Sequence, residues 1–297
     1  MKLASLAYTA LRLAGVTTVA RRLRGGGITL CYHNVIPDAD AGLWGGLGLH
    51  MPLATFARQM RWLATTFDVI PLQHVVDRVT AGASLRGTAA ITFDDAYRGV
   101  FEHAWPLLRD LGLPATVFVV ADAPGKNAGF WWDHPAVLRA YAPAEQGRWL
   151  TALRGDGAAI LESLGVNGDR AVLPPPRASR PADWETITAA AQSGMRLGVH
   201  SATHRALPEL DETDLRREVT ESRDMIARHT GTNPEFFAYP YGLSNDRVRH
   251  VVRSAGYRAA FALDTGRNAN PWALPRLNVP AGIGDAAFDA WTAGIHP

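Results

Sequence analysis

Ala89-Ala90-Ile91-Thr92-Phe93-Asp94-Asp95 is an apolar run that ends abruptly in two adjacent carboxylates. Its short apolar core, entered from Gly87-Thr88 and left through acid, reads as a buried strand with its polar load at the C-terminal end. Strand C-termini are where parallel α/β proteins gather their chemistry. Two neighbouring aspartates repel each other, and a cation or a proton relieves that repulsion. On this stretch alone a solvated turn is an equally good reading, since Asp is common in turns.

A second stretch tips the balance. Met195-Arg196-Leu197-Gly198-Val199-His200-Ser201-Ala202-Thr203-His204 is another short apolar strand, and it ends in two imidazoles. One aspartate and two histidines from separate strand ends suit a divalent transition metal that keeps open positions. Residues i and i+4 also share a helix face, but the Leu-Gly-Val run before His200 argues against an exposed helix.

Outward from these two strands, strand and helix patterns alternate. Ile28–Tyr32 is a strand ending at His33, followed by a Gly-rich loop over 37–50. Helices are predicted over Leu53–Phe67, Gln73–Ala81, Phe101–Leu111, Ala182–Gln192, Asp211–His229 and Ser244–Ala255. Strands fall at Asp68–Leu72, Ala115–Val120, Phe236–Tyr239 and Arg258–Ala262. Glu218 and Glu221 are placed on the solvent face of their helix. Such alternation predicts a parallel sheet or an incomplete β/α barrel. The rhythm breaks at about 125–181, where Trp131, Trp132 and Trp149 mark an insertion. The domain is therefore taken as 27–297, preceded by an N-terminal amphipathic helix over 1–26.

That first helix carries Leu3, Leu6, Leu11, Leu13 and Val16, is interrupted by Arg12, and closes on Arg21, Arg22 and Arg24. The interruption is poor for a membrane span, and the flanks are reversed for a secretory signal. A helix packed on the barrel exterior remains, with peripheral membrane contact through residues 1–25 as the other reading. A cytoplasmic or membrane-associated protein is the resulting expectation, with an exported form as the alternative.

At 297 residues, 47% hydrophobic and 20% charged, the chain can bury one large core. Net charge is only +2, and Lys occurs only at Lys2 and Lys126, so the basic residues are nearly all Arg. With no basic run beyond residues 21–24, nucleic acid is dropped as a partner. The single cysteine, Cys31, cannot form an intrachain disulfide and reads as a small core residue.

Thr92-Phe93-Asp94-Asp95, His200-Ser201-Ala202-Thr203-His204 and Phe236-Phe237-Ala238-Tyr239-Pro240-Tyr241-Gly242 occur in the order and rough spacing of the polysaccharide deacetylases. The chain resembles that NodB-homology family, carbohydrate esterase family 4, from about Ile28 to Val279. The resemblance implies a distorted (β/α) barrel holding one divalent metal, most often zinc, with cobalt, nickel or iron as alternatives. It implies Asp95, His200 and His204 as metal ligands and Asp94 as the general base toward water. It also implies the backbone N–H of Tyr241 as an oxyanion donor, in a turn set by Tyr239 and Pro240. Such an arrangement suits an amide, a poor electrophile that gains from both a polarised carbonyl and an activated water.

Two departures matter. Many family members have an Arg where this chain has Ala238, and that Arg orients the base; on this reading the base lacks its arginine. The late segment Leu274-Pro275-Arg276-Leu277-Asn278-Val279 also lacks the histidine that usually serves as general acid. His33 is assigned that role, because the chain resembles the poly-N-acetylglucosamine deacetylase-like subgroup, whose histidine strand has moved to the N-terminus. First and last strands of a barrel are neighbours, so the move keeps the histidine in place. Asp133, Trp132 and Arg276 are expected to stand behind these groups. The predicted function is a metal-dependent hydrolase that removes the N-acetyl group from amino sugars in a glycan. Two alternatives are a deacylase of a lipid-linked sugar and a glycan-binding homologue without turnover.

Overall fold

The structure, a computed structural model, describes residues 2–42, 47–166, 175–263 and 270–296. It opens with two helices, α1 (Lys2–Leu13) and α2 (Val16–Leu23), where the sequence predicted one. Gly15 separates them at φ +71°, a left-handed conformation that stops a helix and costs glycine nothing. The strand β1 (Ile28–Tyr32) follows. Beyond it, β2 (Asn34–Ile36) and β3 (His50–Pro52) pair in parallel across the predicted loop, with Val35 opposite Met51. Three residues are too few for a period to show.

Next come α3 (Leu53–Thr66), β4 (Asp68–Val69), α4 (Leu72–Thr80) and β5 (Thr88–Phe93). One wide π turn, Val100–Ala104, leads into α5 (Trp105–Asp110), and β6 (Ala115–Val119) follows. The insertion contributes α6 (Pro135–Ala140), α7 (Pro143–Thr151) and α8 (Gly157–Ser163), packed around Val137, Trp149 and Ile160 as a satellite core. Residues 167–174 of the predicted insertion lie outside the described residues. The chain then runs through α9 (Trp184–Gln192), β7 (Arg196–Val199), α10 (Glu212–Thr230), β8 (Phe236–Ala238), α11 (Asp246–Ser254) and β9 (Ala259–Ala262). It ends with β10 (Leu274–Pro275), β11 (Leu277–Asn278) and a helix the sequence reading did not anticipate, α12 (Asp285–Thr292).

The described strands pair in parallel, and the main sheet runs in the order β10-β9-β8-β7-β6-β5-β1-β11, with β4 branching onto β5. Only Arg276 separates β10 from β11. The segment pairs with β9 through Leu274 opposite Phe261, and with β1 through Leu277 opposite Leu30. One short stretch of chain thus bridges both ends of the sheet, and the product is the distorted (β/α) barrel.

Period-two alternation sorts the side chains. Leu30, Tyr32, Ile91, Phe93, Val117, Val119, Leu197, Val199 and Phe237 face outward and join Phe56, Met60, Leu108, Ile187, Val219 and Val251 of the helices in one core. The barrel interior is filled instead by Ala90, Phe118, Phe236, Ala238, Phe261 and Leu274. A side chain at Gly198 would collide with the Phe118 ring, so glycine is required there. Continuing each inward set by two residues leads from Ala90 and Thr92 to Asp94, and from Gly198 to His200.

Candidate active site

Every residue singled out from the two motif strands follows a strand C-terminus, so parallel pairing brings them to one rim. Asp94 and Asp95 follow β5, His200 and His204 follow β7, and His33 follows β1. The Asp95 Oδ1 atom lies 3.6 Å from the Nε2 atoms of both His200 and His204. His200 Nε2 is also 3.7 Å from Asp94 Oδ2. All four side chains are buried.

The backbone around them is strained. Six non-glycine residues among those described have positive φ, and five of them, Asp95, Ala96, Ser201, His204 and Tyr241, lie at this rim. Such conformations cost about 1–3 kcal/mol each and persist where the surroundings enforce them. At His204 the enforcement is visible. Its N–H donates to Ser201 Oγ at 3.0 Å, and its carbonyl accepts from the Tyr241 hydroxyl at 3.0 Å. Glu218, expected on a solvent face, is instead 5% exposed and turned inward. Its carboxylate accepts from the Ala202 and Thr203 N–H groups and from the Thr203 hydroxyl, clamping the loop that carries His204. Helical periodicity could not single it out, because Glu218 is one of several acids on a charged helix.

The donor set fits a divalent cation. His200 Nδ1 lies 2.8 Å from the Ala238 carbonyl. A carbonyl only accepts, so Nδ1 carries the proton and the Nε2 lone pair is left for a ligand. Asp95 Oδ1 is buried with no hydrogen-bond partner. Ligand bonds of about 2.1 Å in tetrahedral array imply edges of roughly 3.4 Å, close to the observed spacing. Charge tells the same story: burial, then Asp94, then Asp133 push the Asp95 carboxyl well above its ordinary value. Burial pushes both His200 and His204 below the ordinary imidazole value. Positive charge is what this triangle calls for.

Asp94 is held differently. The absence of Arg at position 238 predicted an unsupported base, and the structure corrects this. Arg276, 1% exposed between β10 and β11, donates from Nη1 to Asp94 Oδ1 at 2.6 Å and from Nη2 to Oδ2 at 2.8 Å. Position 238 is inward-facing and carries alanine; the guanidinium arrives from the closing segment instead. Burial acts to raise the Asp94 carboxyl, but the Arg276 charge and fork outweigh it and hold the group well below the usual carboxylate range. Cys31, read as a plain core residue, lies with its Sγ 3.3 Å from Asp94 Oδ2. Burial pushes its thiol up, so it stays protonated and donates. Its alternation with Leu30 and Tyr32 was the available signal for an inward position.

His33 continues the inward set Thr29 and Cys31. Its ring, the Cys31 sulfur and the Asp94 carboxylate offer atoms within 4.8 Å of one another. Burial lowers its pKa to about 4, against the opposing pull of Asp94. The turn after β8 is closed by Gly242 N–H to Tyr239 O at 2.8 Å and Leu243 N–H to Pro240 O at 3.1 Å, which leaves out the Tyr241 N–H. The Tyr241 ring packs edge-on against His204 at 4.6 Å. Tyr239 is not a rim side chain: its ring packs on Phe237, and its hydroxyl donates to the Trp272 carbonyl at 2.8 Å. Its contribution to the turn is the carbonyl alone.

Asp133 reaches the site from the insertion, as part of a network. It accepts from the Tyr97 hydroxyl at 2.6 Å and pairs with His50 Nε2 at 3.0 Å, while Trp132 Nε1 donates to Tyr97 at 2.7 Å. The Trp132 ring stands 4.4 Å from that of His204. His50 and Tyr97 carried no motif of their own, and only the fold brings them together.

The family model for polysaccharide deacetylase matches residues 81–260, more than half of the chain. The chain belongs to the polysaccharide deacetylase family. Membership makes it a hydrolase of the N-deacetylase class. A relative from Staphylococcus aureus, poly-beta-1,6-N-acetyl-D-glucosamine N-deacetylase, is 21% identical over 238 residues, covering 79% of this chain and 68% of its own. Among solved structures, the Streptococcus pyogenes deacetylase PplD superposes with TM-score 0.63 at 15% identity, and IcaB from Ammonifex degensii with TM-score 0.63 at 19%. Each covers 91% of this chain and 98% of the matched one. These likenesses establish the shared fold of this polysaccharide deacetylase.

Proposed function

We propose that this polysaccharide deacetylase removes the acetyl group from N-acetylated amino sugars within a glycan, with a divalent cation, zinc first among them, held by Asp95, His200 and His204. The observation that carries the proposal is the convergence of the two imidazoles, each 3.6 Å from the Asp95 oxygen, beside an arginine-paired Asp94. A bound cation supplies Lewis acidity, polarising the acetamide carbonyl and making water a better nucleophile at neutral pH. Asp94, kept charged by Arg276, takes the proton from the attacking water. The Tyr241 N–H meets the negative charge that develops on the carbonyl oxygen.

As the C–N bond breaks, the departing nitrogen needs a proton. That role falls to His33, whose ring offers an atom within 4.8 Å of the Asp94 carboxylate. The proton that Asp94 takes from the water then reaches the amine by way of His33. The name of the S. aureus relative supports poly-N-acetylglucosamine as the first glycan to offer.

The test is acetate release from N-acetylglucosamine oligomers, with and without chelator, by the native protein and by His33→Ala. Loss of release on chelation, restored by zinc, is expected. His33→Ala is expected to slow release about 10²–10⁴-fold with metal content unchanged. Chelator-insensitive release would remove the cation from the reading, and an unimpaired His33→Ala would remove the acid.

A further inference from the structure

Seven large hydrophobic side chains are exposed among the described residues, and five of them, Leu6, Leu13, Val16, Val19 and Leu23, belong to α1 and α2. They are not scattered. Leu6, Ala10 and Leu13 fall at i, i+4 and i+7, and Val16, Val19 and Leu23 at i, i+3 and i+7, one apolar stripe on each helix. Leu13 is 84% exposed and Leu23 77%, so these stripes stand largely open to solvent.

The other side of each helix is already occupied. The hydroxyls of Tyr8 and Thr17 bond α12 through Trp291 Nε1 and Asp289 Oδ2, and Arg21 is ion-paired with Asp289. The helices are therefore seated on the barrel by one face while a second apolar face points outward. A cleft of about 850 Å³, lined by Leu23, Val79, Leu85, Pro275 and Ile295, adjoins the end of α2 and extends this apolar surface.

Charge decides what such a face fits. Residues 1–27 contain Lys2, Arg12, Arg21, Arg22 and Arg24 and no acid, and among the described residues Arg12 and Arg21 are ion-paired with Asp289. A second copy of the chain would bring the same positive excess against itself. A surface of anionic lipid is complementary to it, and basic side chains flanking an apolar stripe are the usual pattern of helices that lie in the interface. None of the described helices is long and apolar enough to cross a membrane.

We propose that α1 and α2 form an interfacial anchor that seats the protein on an anionic lipid bilayer, an inference independent of the deacetylase chemistry. The anchor runs into the N-terminal end of β1, whereas Asp94 and Asp95 lie at the opposite rim, so the site opens on the far side of the sheet from the anchor's end.

The test is co-sedimentation of the full chain with phosphatidylcholine vesicles, with and without phosphatidylglycerol. Partitioning onto the anionic vesicles is expected, falling steeply with salt. Leu13→Glu/Leu23→Glu is expected to weaken it at least about tenfold, and Arg22→Glu to weaken it on anionic vesicles only. Both variants should keep the native melting temperature and acetate release. The proposal is overturned if the native protein stays in the supernatant, or if the Leu13→Glu/Leu23→Glu variant partitions undiminished. It is equally overturned if the vesicle-free protein is a dimer that this double variant converts to monomer, since the stripes are then a contact between copies.

Discussion

Replacing Arg276 by methionine keeps much of the buried side-chain volume and removes the charge that holds Asp94. The guanidinium is 1% exposed and makes both arms of a fork at 2.6 and 2.8 Å, with a further contact to Thr92 Oγ1 at 3.3 Å. Removing one partner of a buried pair leaves the other uncompensated and costs about 3–5 kcal/mol. At about 2.1 cal/mol/K per residue, 297 residues give an unfolding entropy of roughly 0.6 kcal/mol/K, so the melting temperature should fall by about 5–8 °C. The pH dependence fixes the cause. In the native protein the Asp94 carboxyl is depressed, so its contribution is present above the unfolded value and is lost as pH falls through the folded one. In the variant, burial acts without the arginine and raises that carboxyl, so the variant regains stability as pH falls and Asp94 protonates. The gap between the two proteins should narrow toward acid. Scanning calorimetry from neutral to acid pH, in chelator so that no cation intervenes, measures it. A gap under about 1 kcal/mol at neutral pH, or one that does not change with pH, would refute the account of Arg276 as the counter-charge of Asp94.

Further tests address the supports around the site. Glu218→Ala should free the Ala202–Thr203 backbone and lower metal affinity about 10–100-fold, read by competition with a chromogenic chelator; unchanged affinity would make the clamp merely structural. At the N-terminus of α9, the Asp183 carboxylate accepts from the Thr186 N–H at 2.8 Å and pairs with Arg98. Burial opposes these bonds but they prevail, lowering its pKa to about 2. Asp183→Ala should cost about 1 kcal/mol by urea unfolding at neutral pH, a difference present above the unfolded carboxyl value and vanishing as pH falls toward 2.

The sequence made the barrel legible because its inner strands are buried on both faces and read as apolar runs. The two ligand motifs were legible because chemistry clusters at strand ends. Arg276 was expected behind the catalytic groups, but its fork onto Asp94 was not legible, because that meeting depends on a closure linking strands far apart in the sequence. Glu218 hid among surface acids of α10. The break at Gly15 escaped because a single glycine in an apolar helix is often tolerated, whereas here it takes a left-handed conformation.

That β1 is paired on one side with β5 and on the other with β11 has a bearing on how the protein comes into being. Its far partner follows every other described strand, so until that stretch is made β1 waits as an open edge with unpaired backbone groups. The stretch that seals this edge also delivers the guanidinium. Until it docks, Asp94 lacks the guanidinium that pairs with it, so the base gains its counter-charge only as the barrel closes.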